Sequence, residues 1–264
     1  MTRNKLCILI PARNCAPFLS EILSRITFDN PDDEVIIVDD FSDDETFDVA
    51  KSLERVHVER NPRQMGYGGT SKQAYKIALE RGADFAVNIH GDLGHPPEAV
   101  PALATALRRG ECDVVLGSRY IYLRDQARAN GLGSLLNSEN RGNMPLSRIA
   151  GHASLTALQN VLYGTNYHSF HEGMRGVTRG FMEWSVSQSF PDWYDFDTRL
   201  IVAAHRAGWR IQEIGTPPFY TDEATSGVPL VRYGLRTLWA AVRDNRFKAI
   251  KSPSKRVPSD NEID

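Results

Sequence analysis

The chain has 264 residues, a net charge near −2, 41% hydrophobic and 9% aromatic residues. This suits a packed core, argues against disorder, and without a basic excess gives no support to a dedicated nucleic-acid binder. Three scattered cysteines, Cys7, Cys15 and Cys112, form neither a disulfide framework nor a zinc motif and suit a reducing cytoplasm.

Short apolar runs at Lys5–Ile10, Glu34–Val38, Val56–Val58, Asp84–Ile89 and Asp113–Leu116 predict strands. Amphipathic stretches over 17–27, 45–54, 69–81 and 97–109 predict the helices between them. Such alternation implies an α/β, Rossmann-like fold, a mostly parallel sheet with helices on both faces. Right-handed crossovers then gather the strand C-termini on one edge, where ligands of open α/β sheets bind. Chemically capable residues fall at each of these ends: Pro11-Ala12-Arg13-Asn14, Asp39-Asp40-Phe41-Ser42, Gly66-Tyr67-Gly68-Gly69, His90-Gly91-Asp92 and Gly117-Ser118-Arg119.

The second half is less regular. Residues 120–145, with Arg124, Arg128 and Arg141, read as a long binding loop. Helices are expected over 146–163 and 197–207, a strand over Trp209–Ile214, and a frayed tail at 252–264. Residues 228–257 hold eight arginines and lysines and one aspartate, and 228–251 read as a basic amphipathic helix. That helix either docks on the acidic body of the protein or makes a peripheral contact with anionic lipid. No apolar run reaches the ~18–20 residues of a membrane-spanning helix.

At the strand ends, Asp39 and Asp40 can accept hydrogen bonds from a nucleotide base and ribose; Asp43 and Asp44 read as helix-capping residues. The Gly66–Gly69 segment permits a close backbone approach before a helix carrying Lys72, in reach of a base or phosphate. His95 reads as a helix-entry residue, and Trp184, Trp193 and Trp209 as core or pocket wall.

The order and spacing of these motifs, with Gly142-Asn143-Met144-Pro145-Leu146, Phe170-His171-Glu172-Gly173-Met174-Arg175 and Asp195-Phe196-Asp197-Thr198, resemble the family 2 glycosyltransferases over residues 5–225. Within that family the chain looks most like the dolichyl-phosphate mannose synthase branch, without its transmembrane helices. The resemblance implies the GT-A fold and an inverting, metal-assisted transfer from a UDP- or GDP-linked sugar to an acceptor hydroxyl or phosphate. The acceptor classes left open are a sugar, a peptide, a metabolite and a polyprenyl phosphate. It further implies that Pro11, Ala12, Arg13, Asn14, Asp39, Asp40, Gly68, Lys72, Gly91, Asp92 and Arg119 border the nucleotide.

By the same resemblance Asp92 holds Mn²⁺ or Mg²⁺ against the pyrophosphate. His90 stands where a carboxylate is usual and Gly94 where a glutamine is usual; imidazole suits Mn²⁺ better than Mg²⁺. Asp197, eleven residues before Gly208, falls where inverting relatives place a general base; Asp195 and Glu172 compete for that role, and Asp197 could also cap its helix. His171, Gly173, Arg175, Arg124 and Arg128 are expected on the acceptor side. The organisation implied is one domain over 1–227, with a nucleotide-binding half (1–120) and an acceptor half (121–227). A nucleotide-sugar-binding protein without transfer activity is the competing reading, prompted by His90 and Gly94. A sugar nucleotidyltransferase lacks support, because no Gly-Gly-x-Gly-x-Arg follows the first strand.

Overall fold

The computed structural model describes residues 4–219 and 234–237. Seven strands form one sheet: β1 (Leu6–Ala12), β2 (Glu34–Asp39), β3 (Val56–Arg60), β4 (Phe85–Asn88), β5 (Val114–Ser118), β6 (Arg175–Thr178) and β7 (Ile211–Gly215), in the order β3-β2-β1-β4-β6-β5-β7. All pair in parallel except β6, which runs antiparallel to β4 and β5. The helices are α1 (Ala16–Arg25), α2 (Thr46–Ser52), α3 (Tyr67–Glu80), α4 (Val100–Arg108), α5 (Arg119–Asn130), α6 (Leu146–Tyr163), α7 (Arg179–Ser187) and α8 (Phe196–Arg206).

The strands read as unbroken apolar runs because both faces are covered. Along β1, Cys7 and Leu9 enter a core shared with Tyr75, Ile77 and Ala78 of α3, Phe181 of α7 and Leu200 of α8. Leu6, Ile8 and Ile10 enter the opposite core, against Leu19 and Ile22 of α1 and Leu103 and Leu107 of α4. Each such fully buried Leu or Ile contributes ~1.5–3 kcal/mol, and a one-residue slip of β1 would exchange its two faces.

The expected alternation holds through β5 and α4. The long loop does not: residues 119–130 form α5, started by the Ser118 side chain, whose Oγ accepts from Ile121 N at 3.3 Å, and short 3₁₀ turns follow at Leu132–Leu136 and Glu139–Arg141. Only Ile121 and Leu123 of α5 are buried, too few to write a helical period into the sequence. β6 and α7 were not expected either. The basic helix over 228–251 lies outside the described residues apart from 234–237, and the 252–264 tail lies wholly outside them. Among the described residues no helix is long and apolar enough to cross a membrane.

Reversal of β6 has a direct consequence for the site. Its register sets Arg175 opposite both Asn88 and Leu116, so its N-terminal end meets the C-terminal ends of the parallel strands. The 170–175 segment is thereby delivered to the same edge as 11–14, 39–42, 90–92 and 118–119.

Candidate functional site

The ends of β1 and β2 are laced together. Asp40 N donates to Ala12 O at 2.8 Å, Asn14 N donates to Ser42 Oγ at 3.0 Å, and Asn14 Oδ1 accepts from Asp43 N at 3.0 Å. Asn14 pays for this with a left-handed φ of 52°. Arg13 stays exposed beside Asp43, while Pro11 is half-buried.

The two aspartates expected to meet the nucleotide accept hydrogen bonds from protein donors. Asp39, fully buried, accepts from Ser42 N and Oγ and pairs with Arg60 at 3.2 Å. Asp40 accepts from Asn61 Nδ2, Met65 N and Gly66 N at 2.9, 2.6 and 2.8 Å. What they leave at the rim is Phe41, 45% exposed at a φ of 59°, with the Arg60 guanidinium 5.2 Å from its ring centre. An exposed aromatic face there can stack a nucleobase; its signal in the sequence was an apolar residue inside an otherwise polar turn.

The close approach at Gly68 is made by the chain itself. Gly68 N and Gly69 N donate to Asp192 O at 2.9 and 3.2 Å, and a Cβ on Gly68 would stand 2.7 Å from Phe196 Cβ and 2.9 Å from Trp193 O. Lys72 reinforces this contact, donating to Phe190 O at 2.7 Å and pairing with Asp192 at 2.5 Å. Thus Gly68 and Lys72 clamp 190–193 onto α3.

At the end of β4, Gly91 packs on Cys15, and Asp92 Oδ1 accepts from Gly94 N at 2.9 Å. A Cβ at position 94 would stand 2.9 Å from that oxygen, so the glycine there gives Asp92 its pose. The His90 ring is wedged between Tyr67 and His95, at centroid distances of 5.3 and 4.4 Å, and lies directly on Gly173, where any side chain would collide with it. His90 Nε2 is 3.4 Å from Tyr67 Oη. Desolvation lowers the His90 pKa against the raising effect of Asp92 and Asp197. Among the described residues no three His, Cys, Asp or Glu side chains converge as a metal-holding set. The donor set fits an ion held by one carboxylate, Asp92, with the remaining positions open to substrate phosphates and water, while the His90 ring is packed between Tyr67 and His95.

Each carboxylate expected as a base is already held by a guanidinium. Glu172, 3% exposed, accepts from Arg119 Nε at 2.9 Å; burial raises its pKa although Arg119 opposes the shift. Asp195 pairs with Arg199 at 3.0 Å and with Arg236 at 3.6 Å. Asp197 accepts from Arg175 Nη1, and Arg175, with no exposed surface, also donates Nε to Tyr75 Oη at 2.8 Å and lies 5.3 Å from the Phe196 ring centre. Burial acts to lower the Arg175 pKa, but Asp197 outweighs it and holds the group well above its ordinary value. The N-cap position of α8 is held by Asp195, which makes no side-chain cap bond, and Asp197 lies in the first turn of the helix.

Helix formation at 119–130 separates the basic residues expected to act together. Arg124 points to His168 Nε2, 2.9 Å away, and to Asp125 at 3.0 Å. Arg128, nine residues from Arg119, falls half a helical turn round from it and is exposed. In their place the structure brings up residues that spacing did not reveal. His152 of α6 lies 5.4 Å from His171 and 6.4 Å from Tyr120, ring centre to ring centre. Arg119 and Arg148 both act on His152, and burial with their charge takes it down to about 4; burial, His152 and Arg119 take His171 to about 3. Arg148 and His152 stand four apart on one helix face, which is the only trace they leave in the sequence.

Comparison with known proteins adds the following. The family model "Glycosyl transferase family 2" matches residues 7–177. A UDP-N-acetylglucosamine–dolichyl-phosphate N-acetylglucosaminyltransferase of Methanococcus voltae is 23% identical over 248 residues, covering 88% of this chain and 92% of that protein. A dolichol-phosphate mannosyltransferase of Pyrococcus furiosus is 34% identical over 119 residues, covering 44% of this chain and 34% of that longer protein. In three dimensions the chain is similar to glucosyl-3-phosphoglycerate synthase of Mycobacterium tuberculosis, crystallised with Mn²⁺, uridine diphosphate and glucosyl-3-phosphoglycerate. The TM-score is 0.64 at 18% identity, over 90% of this chain and 78% of that one, which establishes a GT-A-like α/β fold.

Proposed function

The chain belongs to glycosyl transferase family 2, and from that premise we propose that it transfers a sugar, with inversion, from a nucleoside-diphosphate donor to an acceptor whose nucleophile is a phosphate. One observation carries the choice of acceptor. Arg119, Arg148, His152 and His171 gather on one side of the site, while Asp197, Asp195 and Glu172 are each committed to a guanidinium. A phosphate is already anionic and needs no base, and guanidinium groups bind it bidentately. The phosphorylated acceptors in the names of the relatives above agree with this reading, a polyprenyl phosphate foremost.

On this reading the donor lies across the 1–120 half and the acceptor across 121–227. The rim of Pro11, Ala12, Arg13, Asn14 and Phe41 takes the base, and Asp39 and Asp40 hold that rim in shape. Gly68 and Lys72 hold 190–193 against α3, and Gly91 sets the turn that presents Asp92 to the pyrophosphate. A divalent ion on Asp92 would offset the charge that grows on the departing nucleoside diphosphate. Arg119, braced by Glu172, and His171 steer the acceptor phosphate for in-line attack at the anomeric carbon. Arg175 and Asp197 fix the floor beneath it through Tyr67, Gly173 and His90.

The test begins with UDP and GDP binding by calorimetry, in Mn²⁺, Mg²⁺ and EDTA, on wild type and Asp92→Asn. One nucleotide should bind with metal, and Asp92→Asn should remove the metal dependence. The matching nucleotide sugar should then glycosylate a polyprenyl phosphate and leave the free polyprenol untouched. Transfer to a hydroxyl acceptor, with Asp197→Asn lowering kcat by ~10²–10⁴ in folded protein, would restore the general base and overturn the phosphate reading. Nucleotide binding without turnover on any acceptor would point to a binding protein.

A further inference from the structure

The turn that leaves β4 faces two ways. Asp92 stays half-buried near its start, while His95 at its end is 4% exposed. Three features hold the chain in that shape. Leu93 takes a left-handed φ of 59°, Gly94 N donates to Asp92 Oδ1 at 2.9 Å, and a 3₁₀ turn at Pro97–Ala99, preceded by Pro96, leads into α4. His95 reads in the sequence as a helix-entry residue, but entry to a helix asks nothing of an imidazole. Its ring lies on the inner side of the turn, edge-on to the His90 ring at a centroid distance of 4.4 Å, with Nε2 3.4 Å from Arg119 Nη2.

That distance is at the long end for a hydrogen bond, and the pairing fixes the chemistry of the ring. A guanidinium nitrogen has only protons to offer, so the ring nitrogen facing it must accept. Nε2 is therefore bare, and the proton of the neutral imidazole sits on Nδ1. Nδ1 is buried and meets no partner among the described residues. The opposite tautomer would leave Nδ1 equally idle and set two donors against each other. Burial first, then His90, Arg119 and Arg175, take the His95 pKa well below its ordinary value, in keeping with a neutral ring.

Arg119 is thus held on two edges. Glu172 accepts from Nε at 2.9 Å and His95 from Nη2, and both acceptors are buried, whereas the Arg119 side chain keeps 14% of its surface exposed. Two acceptors on two nitrogens fix the plane of a guanidinium that one alone would leave free to swing. They differ in charge. Glu172 offsets part of the positive charge, while a neutral imidazole orients the group and offsets none.

We propose that His95 is a positioning residue, accepting a hydrogen bond from Arg119 so that the guanidinium is presented in one plane to the acceptor phosphate. That Arg119 meets a phosphate rests on the acceptor reading above; the hold of His95 on Arg119 does not. On that reading one short turn carries both a carboxylate for the donor side and a hold on the acceptor arginine.

The test has two readouts. Long-range proton–nitrogen NMR spectra of the full chain, labelled at histidine and assigned by comparison with His95→Gln, should show His95 with Nδ1 protonated and Nε2 bare. A ring protonated at Nε2 overturns the proposal whatever the acceptor is. Kinetics with the matching UDP- or GDP-sugar and a polyprenyl phosphate supply the second readout. His95→Leu should raise the KM for the polyprenyl phosphate roughly tenfold, the worth of one hydrogen bond to a charged group, and leave nucleotide affinity unchanged. His95→Gln, which keeps a neutral acceptor within the reach of Nε2, should recover most of that loss. In an Arg119→Ala chain His95→Leu should have no further effect, because nothing is left to orient. A KM that His95→Leu does not move, equal losses in the Leu and Gln variants, or losses that add in the double variant would each make His95 a packing residue and overturn the proposal. An Arg119→Ala chain with this KM unchanged would count against the acceptor reading, and the tautomer would still decide for or against His95.

Discussion

Arg175 sets the terms at the scale of single residues. A guanidinium with no exposed surface persists because Asp197, Tyr75 and the Phe196 ring surround it. Removing one member of such a pair leaves a buried charge uncompensated, at a cost of ~3–5 kcal/mol. Asp197→Asn should therefore lower Tm by many degrees, and Arg175→Met in the same chain should restore most of it. A variant that melts like wild type would show the pair to be dispensable. The buried imidazoles make a second prediction. His152 and His171 titrate at about 4 and about 3 in the folded chain against an ordinary 6.5. The unfolded chain then binds more protons between those values, so stability is full above about 6.5 and falls as pH drops through the window. Melts from pH 7 to pH 4 should show this decline, and His152→Gln with His171→Gln should flatten it. A dianionic phosphate bound between them would favour their charged forms, so proton uptake should accompany its binding, read as a dependence of the calorimetric heat on the buffer's ionisation enthalpy. Neither histidine's environment could be read from spacing, since their neighbours come from α5, α6 and the approach to β6.

Elements were legible where burial wrote a period into the sequence. β1, β2, β4 and β5 are covered on both faces and so read as apolar runs; α6 was delimited by Pro145 and Gly164. β6 was missed because its four residues include Arg175 and Gly176. The glycine is there for space: a Cβ would stand 2.7 Å from Val115 Cγ1 and 2.9 Å from Leu107 Cδ1. α5 was missed because it buries only two residues. Motif order located the edge where the site forms, but which carboxylates would be free there depended on partners far along the chain. Gly173 illustrates the dependence, since its missing side chain makes room for the His90 ring. Gly173→Ala should destabilise the fold and weaken nucleotide binding, and His90→Ala in the same chain should recover stability. A Gly173→Ala protein with unchanged Tm would show that the ring simply turns aside.

The molecule as a whole divides its labour across one sheet. On the proposed reading the ends of β1, β2 and β4 would take the nucleotide, and the stretch between β5 and β6 would take the acceptor. Because β6 is reversed, residues 119–174 leave the sheet and return to it at the same edge. That stretch is entered and left at neighbouring points of the sheet, although Gly173 against His90, His168 against Glu213 and Phe170 in the core tie it to the frame. If the proposed division holds, acceptor preference could change with this stretch while the nucleotide side stands still. A chimera carrying 119–174 from another family member should keep this chain's preference between UDP and GDP and take the acceptor of the stretch's source, and a swapped nucleotide preference would show that the two halves are not separable.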